Sequence, residues 1–536
     1  MLLESAPVGA PHGRRSLIVA APLVRLTARE DLVELRALQP RAEGLLDDLA
    51  QRLPRSRRRN EACLELHLPR KTATAGRTDR DRLLDPSVFD VVRALVLSVE
   101  DAGPAQDGPG RLPIAVYGAF SYELVDHFED LPPRAGATRV ADPEPDLHLV
   151  LGLDGIEIDH EEDRATITCR SFLDGNTERE ERLARERLAH LEELLRAPET
   201  TPRRKTGLAE TRTSTPSNLQ GVPSSPSSAT FEQRVQRVLR HIDAGDVFQT
   251  VLSRSFRVDG DAEPLEVYRD LCAQNPSPYQ FFLDLPDGGA LFGASPECCV
   301  RVQGSEVTLR PIAGTVPRGF GKDGVAIDPD LDARRAASLL LDPKEQAEHA
   351  MLVDLARNDL ARIALAGTRR VDDPFHVESY SHVHHLVSDV TATLDPRFDA
   401  LDAYRACANM GTLTGAPKLR AMELIRELED EERGFYGGAV GFLTREGEFD
   451  TCIVIRSLRY RNGTYVARAG AGIVADSVAT REASETLHKA AAPLSAALSA
   501  IAAATGRCEN EAEAAKPRRP RTVRPTQTAC REGSPS

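Results

Sequence analysis

Apolar positions recur along this chain with two different periods. Some short runs alternate every second residue, as in strands half-buried on a sheet, and others repeat every three to four, as on a helix face. SLIVAAPLVRLTA reads as a strand or hairpin, and LPIAVYGAFSYELVDHF as a strand followed by a turn. LHLVLGLDGIEIDHEEDRATITCRSF predicts two or three antiparallel strands with a turn at Asp154-Gly155. DPSVFDVVRALVLSVEDA has helical spacing, and TEREERLARERLAHLEELLRA predicts a long charged helix with a leucine stripe. ATFEQRVQRVLRHIDAGD predicts an amphipathic helix with Thr230 as its N-cap. VFQTVLSRSFRV, GALFGASPECCVRV, EVTLRPIAGTVPRG, GGAVGFLT, DTCIVIRSLRY and TYVARAGAGIVA read as strands, several ending at Gly or Pro.

The stretch 199–228 breaks this pattern. It is rich in Ser, Thr and Pro, cannot build a core, and is expected to be a linker or surface loop. It separates an N-terminal region, 1–198, from a denser region, 229–503, and a polar, Pro-rich tail, 504–536, is expected to be disordered. The 536 residues suffice for two or three domains or one large composite domain. A net charge of −14 argues against nucleic acid and against an anionic membrane as partners. No uninterrupted apolar run approaches the ~20 residues of a membrane span, and MLLESAPVGAPHGRR lacks the layout of a signal peptide, so a cytoplasmic location is expected. The nine cysteines show no paired metal-binding spacing, and several lie in apolar runs, as buried reduced thiols do.

Two carboxylate pairs stand out. Glu345 and Glu348 lie in PKEQAEHAMLVDLARNDL, and Glu482 and Glu485 in TREASETLHKA. The i, i+3 spacing projects each pair from one helix face, and the first pair shares its face with Met351, Leu352 and Leu355. Burying such a pair is costly without neutralisation, which a hard divalent cation such as Mg²⁺ supplies; solvated acidic residues at helix starts are the alternative. PIAGT, GTLTGAPK and AGAGIV are small-residue loops whose backbone amides suit an anion. Arg456, read as part of the apolar strand DTCIVIRSL, needs a paired anion, and its fork suits a carboxylate. With Lys489 one turn beyond Glu485, these elements describe a pocket for a small dicarboxylate.

The ordered segments DVFQTVLSRSF, NPSPYQFFLDL, LFGASPE, RPIAGTVPRG, EHAMLVDLARNDLARI, ESYSHVHHLVSDV, GTLTGAPKLRAMELI, GFYGGAVGF, DTCIVIRS and AGAGIVADSVATREASETLHKA resemble the chorismate-binding enzymes, most of all the large components of anthranilate synthase. The resemblance spans about residues 2–500 and implies an α+β fold of two antiparallel sheets packed face to face, with helices outside. It implies a Mg²⁺-dependent conversion of chorismate and ammonia to anthranilate and pyruvate, the first committed step of tryptophan biosynthesis. Glu348 and Glu485 would hold the metal, supported by Glu345 and Glu482. Gly314, Thr315, Thr412, Gly415 and Lys489 would hold the ring end of the substrate, and Arg456, Tyr436 and Gly472 its enolpyruvyl carboxylate. Glu297 matches the family's general acid and His385 a residue tied to pyruvate elimination. Gln249 stands where water-activating relatives carry Lys, and Ala313 where relatives with a covalent amino transfer carry Lys, so direct attack by ammonia is left.

No amidotransferase triad is present in the sequence, so a separate glutamine amidotransferase subunit is the expected source of ammonia. The resemblance also implies feedback inhibition by tryptophan at Ser5 of LLES, at Pro276, Ser277, Pro278, Tyr279 and Gln280, and at Cys452. Gln280 replaces a usual Met that would pack over the indole, which predicts weakened inhibition. About forty residues precede LLES in close relatives, from which a misplaced start or a shortened first domain is expected. Pro493 should kink the last helix or cost it about 3 kcal/mol. A 2-amino-2-deoxyisochorismate synthase and a non-catalytic tryptophan-sensing partner are the alternatives.

Overall fold

The computed structural model describes residues 1–5, 15–68, 78–102, 111–134, 144–173, 177–197, 219, 221–321, 326–380 and 382–514. Among these residues the chain builds two large sheets of eleven and thirteen strands. The first runs in the order Arg164–Thr168, Gly155–Asp159, Arg15–Val19, Leu2–Glu4, Tyr279–Asp284, Ala290–Ser295, Ser457–Arg461, Thr464–Ile473, Gln249–Asp259, Ser224–Ser225. The second runs Ile312–Pro317, Val383–Thr393, Glu306–Leu309, Cys298–Gln303, Phe449–Ile453, Ala439–Thr444, Ala115–Phe120, Leu147–Gly152, Val24–Arg29, Leu32–Ala37, Cys63–His67, Ser56–Asn60. Neighbouring strands are antiparallel. Strands from before residue 199 and after residue 228 are interleaved in both sheets, so the two halves of the sequence share one architecture.

The inner faces of the sheets meet in a dry layer. Phe281, Leu283 and Leu291 of the first sheet pack on Ala119, Val440 and Cys452 of the second, and Leu17 and Val19 pack on Tyr117 and Val150. Helices cover the outside. Val88–Val96, capped by a reciprocal Ser87–Asp90 pair, buries Val88, Phe89, Val92 and Leu95 against the second sheet. Full burial of each such side chain stabilises by about 1.5–3 kcal/mol. On the first sheet lie Pro264–Gln274 and Ala479–Ala514, with Ser228–Asp243 and Lys418–Leu428 at its other end.

The segments read as hairpins do not all pair with themselves. Arg15–Val19 and Val24–Arg29 fall in different sheets, as do Leu147–Gly152 and Gly155–Asp159, so Asp154-Gly155 lies at a crossing between layers. Local alternation gives each strand's two faces but not its neighbour. The cap of Ser228–Asp243 is Ser227, whose hydroxyl accepts from Thr230 N, so Thr230 is the donor in this cap and lies one turn inside. Of the expected linker, 199–218 and 220 lie outside the described residues; Ser224–Ser225 is already paired with Phe256 and Ser255. The expected tail begins inside the helix Ala479–Ala514, and 515–536 lie outside the described residues. That helix continues through Pro493.

By length and composition alone, Ala479–Thr505 is apolar enough to cross a membrane, contrary to the run-based expectation, because small alanines raise its average without a continuous run. One face of it buries Ala490, Leu494, Ala497 and Ala500 against the first sheet and the helix Pro264–Gln274.

A buried ion network ties three elements together. Glu429 and Arg433 pair at 2.7 Å with side chains 2% and 0% exposed, and Arg468 reaches the other oxygen of Glu429 at 2.8 Å. Burial works to raise the Glu429 pKa, but the two guanidiniums overcome it and hold the carboxyl at about 2. Arg433 also donates to the carbonyls of Leu413 and Val251, at 2.6 and 2.8 Å. Replacing Arg433 by Met strips these bonds and weakens the compensation of a buried carboxylate. The expected cost is about 3–5 kcal/mol, read as a lower urea midpoint at pH 7; an unchanged midpoint would refute this role.

Candidate active site

Two neighbouring crossings between the sheets deliver the central side chains. Ser295-Pro296-Glu297 carries the chain from Ala290–Ser295 in the first sheet to Cys298–Gln303 in the second, and Pro296 lacks the N–H that would extend the ladder. Val454-Ile455-Arg456 carries it back from Phe449–Ile453 to Ser457–Arg461. The crossings are bonded to each other: Ile453 N donates to Glu297 O at 3.0 Å and Ala294 N to Arg456 O at 3.2 Å. Arg456 is therefore on a connection, with φ of 52°, and not inside a strand as its apolar flanks suggested.

Both residues line a cavity of about 560 Å³. Gln249 and Gly472 enter it from adjacent strands, and a Cβ at Gly472 would lie 2.9 Å from Gln249 Nε2, so the glycine leaves room for that amide. Gly314 (φ 57°), Thr315, His385, Thr412, Tyr436 and Lys489 complete the wall together with Glu345, Glu348, Glu482 and Glu485. Gly415 is the exception. It pairs with Thr250 behind the wall, where a Cβ would lie 2.1 Å from Gln249 O, so it sets the backbone spacing and does not line the cavity.

Each carboxylate pair stands on one helix. Asp342 caps Pro343–Ala361, accepting from Lys344 N and Glu345 N at 2.9 and 3.2 Å, with Pro343 in the first turn. A Cβ at Gly314 would lie 2.8 Å from a Glu345 oxygen, so only glycine admits this approach. Burial, then Glu348, raises the Glu345 pKa, and burial with Glu485 raises that of Glu482. The four carboxylates thus crowd one another. They do not converge into a closed ligand shell. Among the described residues the one compact group of three potential ligands is Glu34, Cys63 and Glu65, where Arg36 and Arg59 already pair with the two carboxylates.

The remaining groups have matched electrostatics. Burial pushes the Glu297 pKa up to about 7, against the pull of Thr412 and Lys489, and its Oε1 is buried without a hydrogen-bond partner. Burial, aided by the Arg456 charge, lowers the His385 pKa to about 4, so the imidazole is neutral; its Nδ1 lies 3.0 Å from Thr315 Oγ1 and 3.3 Å from Gly314 O. Burial also lowers the Arg456 pKa, and among the described residues no carboxylate pairs with this guanidinium. A half-buried cation that faces a cavity and is paired with no carboxylate is a receptor for an anion. Lys344, Arg468, Ser477 and His488 line the wall as well and were missed in the sequence. Lys344 had a signal, since it sits i, i+4 from Glu348; Arg468 had none, because its partner Glu429 is distant along the chain.

A second cavity of about 540 Å³ collects Ser5, Pro278, Tyr279, Gln280 and Cys452. The Ser5 hydroxyl donates to Pro278 O, and Tyr279 donates to Asp450 Oδ1 at 3.0 Å. Pro276 and Ser277 do not line it; the Ser277 hydroxyl bonds back to Asn275 O within its own turn. A smaller space of about 270 Å³ shares Pro278 and Tyr279 with this cavity and Pro296 with the first.

The sequence pattern of the family described as "chorismate binding enzyme" matches residues 58–495. The chain belongs to this family. Relatives include the pyocyanine-specific anthranilate synthase component 1 of Pseudomonas aeruginosa, 42% identical over 93% of this chain and 90% of that protein. Anthranilate synthase component 1 of Escherichia coli is 41% identical over 92% and 91%. Among solved structures, anthranilate synthase component I from Streptococcus pneumoniae superposes with a TM-score of 0.66 at 27% identity, over 90% of this chain and 92% of that one. The menaquinone-specific isochorismate synthase of Escherichia coli shares the fold, with a TM-score of 0.56 at 16% identity over 92% and 96%.

Burying Glu297 costs this fold stability at neutral and higher pH. Its carboxyl, raised from 4.5 to about 7, is protonated more readily in the folded chain. Stability therefore falls as pH rises from about 4.5 to about 7, since the unfolded chain binds fewer protons there. Glu297→Gln should raise stability at pH 8 by up to about 3 kcal/mol and give no gain at pH 4. Melting curves at both pH values check this; equal shifts would show that the carboxyl is not perturbed.

Proposed function

We propose that this chain is an anthranilate synthase large component, converting chorismate and ammonia to anthranilate and pyruvate. The observation that carries the reading is that one cavity collects the Arg456 guanidinium, paired with no carboxylate among the described residues, four glutamates, a neutral His385 and a raised Glu297. Its near-full-length likeness to anthranilate synthase components supports the specific reaction.

Glu348 and Glu485 would hold Mg²⁺, with Glu345 and Glu482 behind them, and the metal when bound would neutralise the ring carboxylate and draw charge from the ring. Arg456 takes the enolpyruvyl carboxylate through a charge-assisted pair, beside Tyr436 and Gly472. Glu297, protonated below about pH 7, donates to the departing 4-hydroxyl as ammonia adds at C2, so that water leaves. Neutral His385 then accepts the C2 proton as the ring C–O bond breaks; the enolpyruvyl group leaves as the enolate of pyruvate, takes a proton at its methylene carbon, and the ring becomes aromatic. Gln249 presents an amide that does not take a proton, which keeps water from being activated at C2. A separate amidotransferase would supply ammonia from glutamine, and a cytoplasmic setting suits soluble substrates of this kind.

The second cavity would take tryptophan as a feedback inhibitor. Gln280, 8% exposed and lining this cavity, would have to place an amide against the indole.

Two measurements test these assignments. Purified chain with chorismate, Mg²⁺ and ammonium at about pH 8.5 should form fluorescent anthranilate, and EDTA, Glu348→Ala or Glu485→Ala should each abolish it. Chorismate consumed without fluorescence would instead support a 2-amino-2-deoxyisochorismate synthase, and no consumption would support a non-catalytic partner. For regulation, Gln280→Met should lower the half-inhibitory tryptophan concentration by roughly tenfold; an unchanged value would remove Gln280 from the inhibitor site.

A further inference from the structure

The acidic wall carries its own counter-ions. On one helix Lys344 lies 3.6 Å from Glu348, one turn ahead of it. On the other Lys489 lies 2.7 Å from Glu485, one turn beyond it. The two ammoniums leave the four carboxylates two negative charges in excess. Lys489 is already assigned to the substrate, but Lys344 has no assigned part.

Its position is not explained by helix stability. Lys344 occupies the first turn of Pro343–Ala361, where the helix dipole disfavours a cation and favours an anion. Its side chain is 60% exposed, so it is free to swing, and it lines the cavity. It acts beyond its own helix as well, since its charge also stabilises the carboxylate of Glu482 on the opposite one.

Resting on the metal reading above, we propose that Lys344 is a displaceable counter-ion. It occupies the carboxylates while no metal is bound, is expelled when a divalent cation arrives, and is then free to meet an anionic group of the incoming dicarboxylate. Metal and dianion binding are coupled through this exchange: the metal displaces the ammonium, and the dianion rewards its release. Before metal binds, the uncancelled negative charge repels the substrate. Lys344 is thus a positioning and coupling residue, and no bond is made or broken at it.

The experiment is a titration of the full chain with Mn²⁺, followed by electron paramagnetic resonance, with and without chorismate in ammonia-free buffer. In the unmodified chain, chorismate should tighten Mn²⁺ binding. Lys344→Met should tighten Mn²⁺ binding without chorismate by about threefold to fivefold, the scale of a partly exposed ion pair, and should shrink the chorismate-induced gain by a similar factor. Lys344→Arg, which keeps the charge, should retain the original coupling. A Met variant that binds Mn²⁺ as the unmodified chain does, with the chorismate effect intact, overturns the inference while leaving the metal site standing. No Mn²⁺ binding by the unmodified chain overturns the metal reading and this inference with it.

Discussion

Inside a protein each backbone N–H and C=O must find a partner, and this fold meets that demand where it is hardest, between its two sheets. The chain passes from one layer to the other at Pro296-Glu297 and returns at Ile455-Arg456, and the two passages satisfy each other through the Ile453–Glu297 and Ala294–Arg456 bonds. An acid and a guanidinium are thereby fixed in one gap by main-chain bonds, not by their own side-chain contacts. Among the described residues Glu297 Oε1 has no hydrogen-bond partner and no carboxylate pairs with Arg456. The layers on either side, with Phe281, Leu291, Val440 and Cys452 between them, hold the crossings in place.

The cavity that results is divided electrostatically. Four carboxylates and two ammoniums stand on two helices that cover opposite sheets, and one unpaired guanidinium stands on the crossing. His385 is neutral because burial and the nearby Arg456 charge both oppose its protonation. Glu297 is held near its protonated form by burial, with only Thr412 and Lys489 opposing. The same desolvation therefore keeps an acid protonated and a base unprotonated, the pair of states that proton transfer in both directions needs. Glu429, paired with Arg433 behind the wall and with Arg468 in it, does the reverse: its charge is met from both sides, and the network ties the strand Gln249–Asp259, the strand Thr464–Ile473 and the Leu413 loop together.

The second cavity is connected to the first by packing. Tyr279 borders both it and the intermediate space, and Cys298, lining that space, directly follows Glu297 in the chain. The strand Cys298–Gln303 pairs Cys298 with Cys452, which lines the second cavity. A ligand that moved Tyr279 or Cys452 would press on the backbone next to Glu297. Coupling of this kind needs only one stiff strand with two well-packed ends.

Much of this was legible in the residues themselves. The i, i+3 carboxylate pairs, the alternating strands and the small-residue loops are local signals, and the structure brings Glu345, Glu348, Glu482 and Glu485 to one cavity as their spacing suggested. Even Lys344 was readable from its i, i+4 distance to Glu348. Local spacing could not say which strands pair. SLIVAAPLVRLTA and LHLVLGLDGIEID each look like a hairpin yet divide between the sheets, because alternation defines a strand's faces and is silent about its neighbours. For the same reason Arg456 looked like a strand residue when it is a crossing, and Gly415 like a lining residue when it is a spacer. The sequence by itself determined which chemical groups are available and on which local faces they stand. The pairing of distant strands alone decided which of them meet, since burial, and with it the charge state of Glu297, His385 and Arg456, exists only once the two sheets have closed on each other.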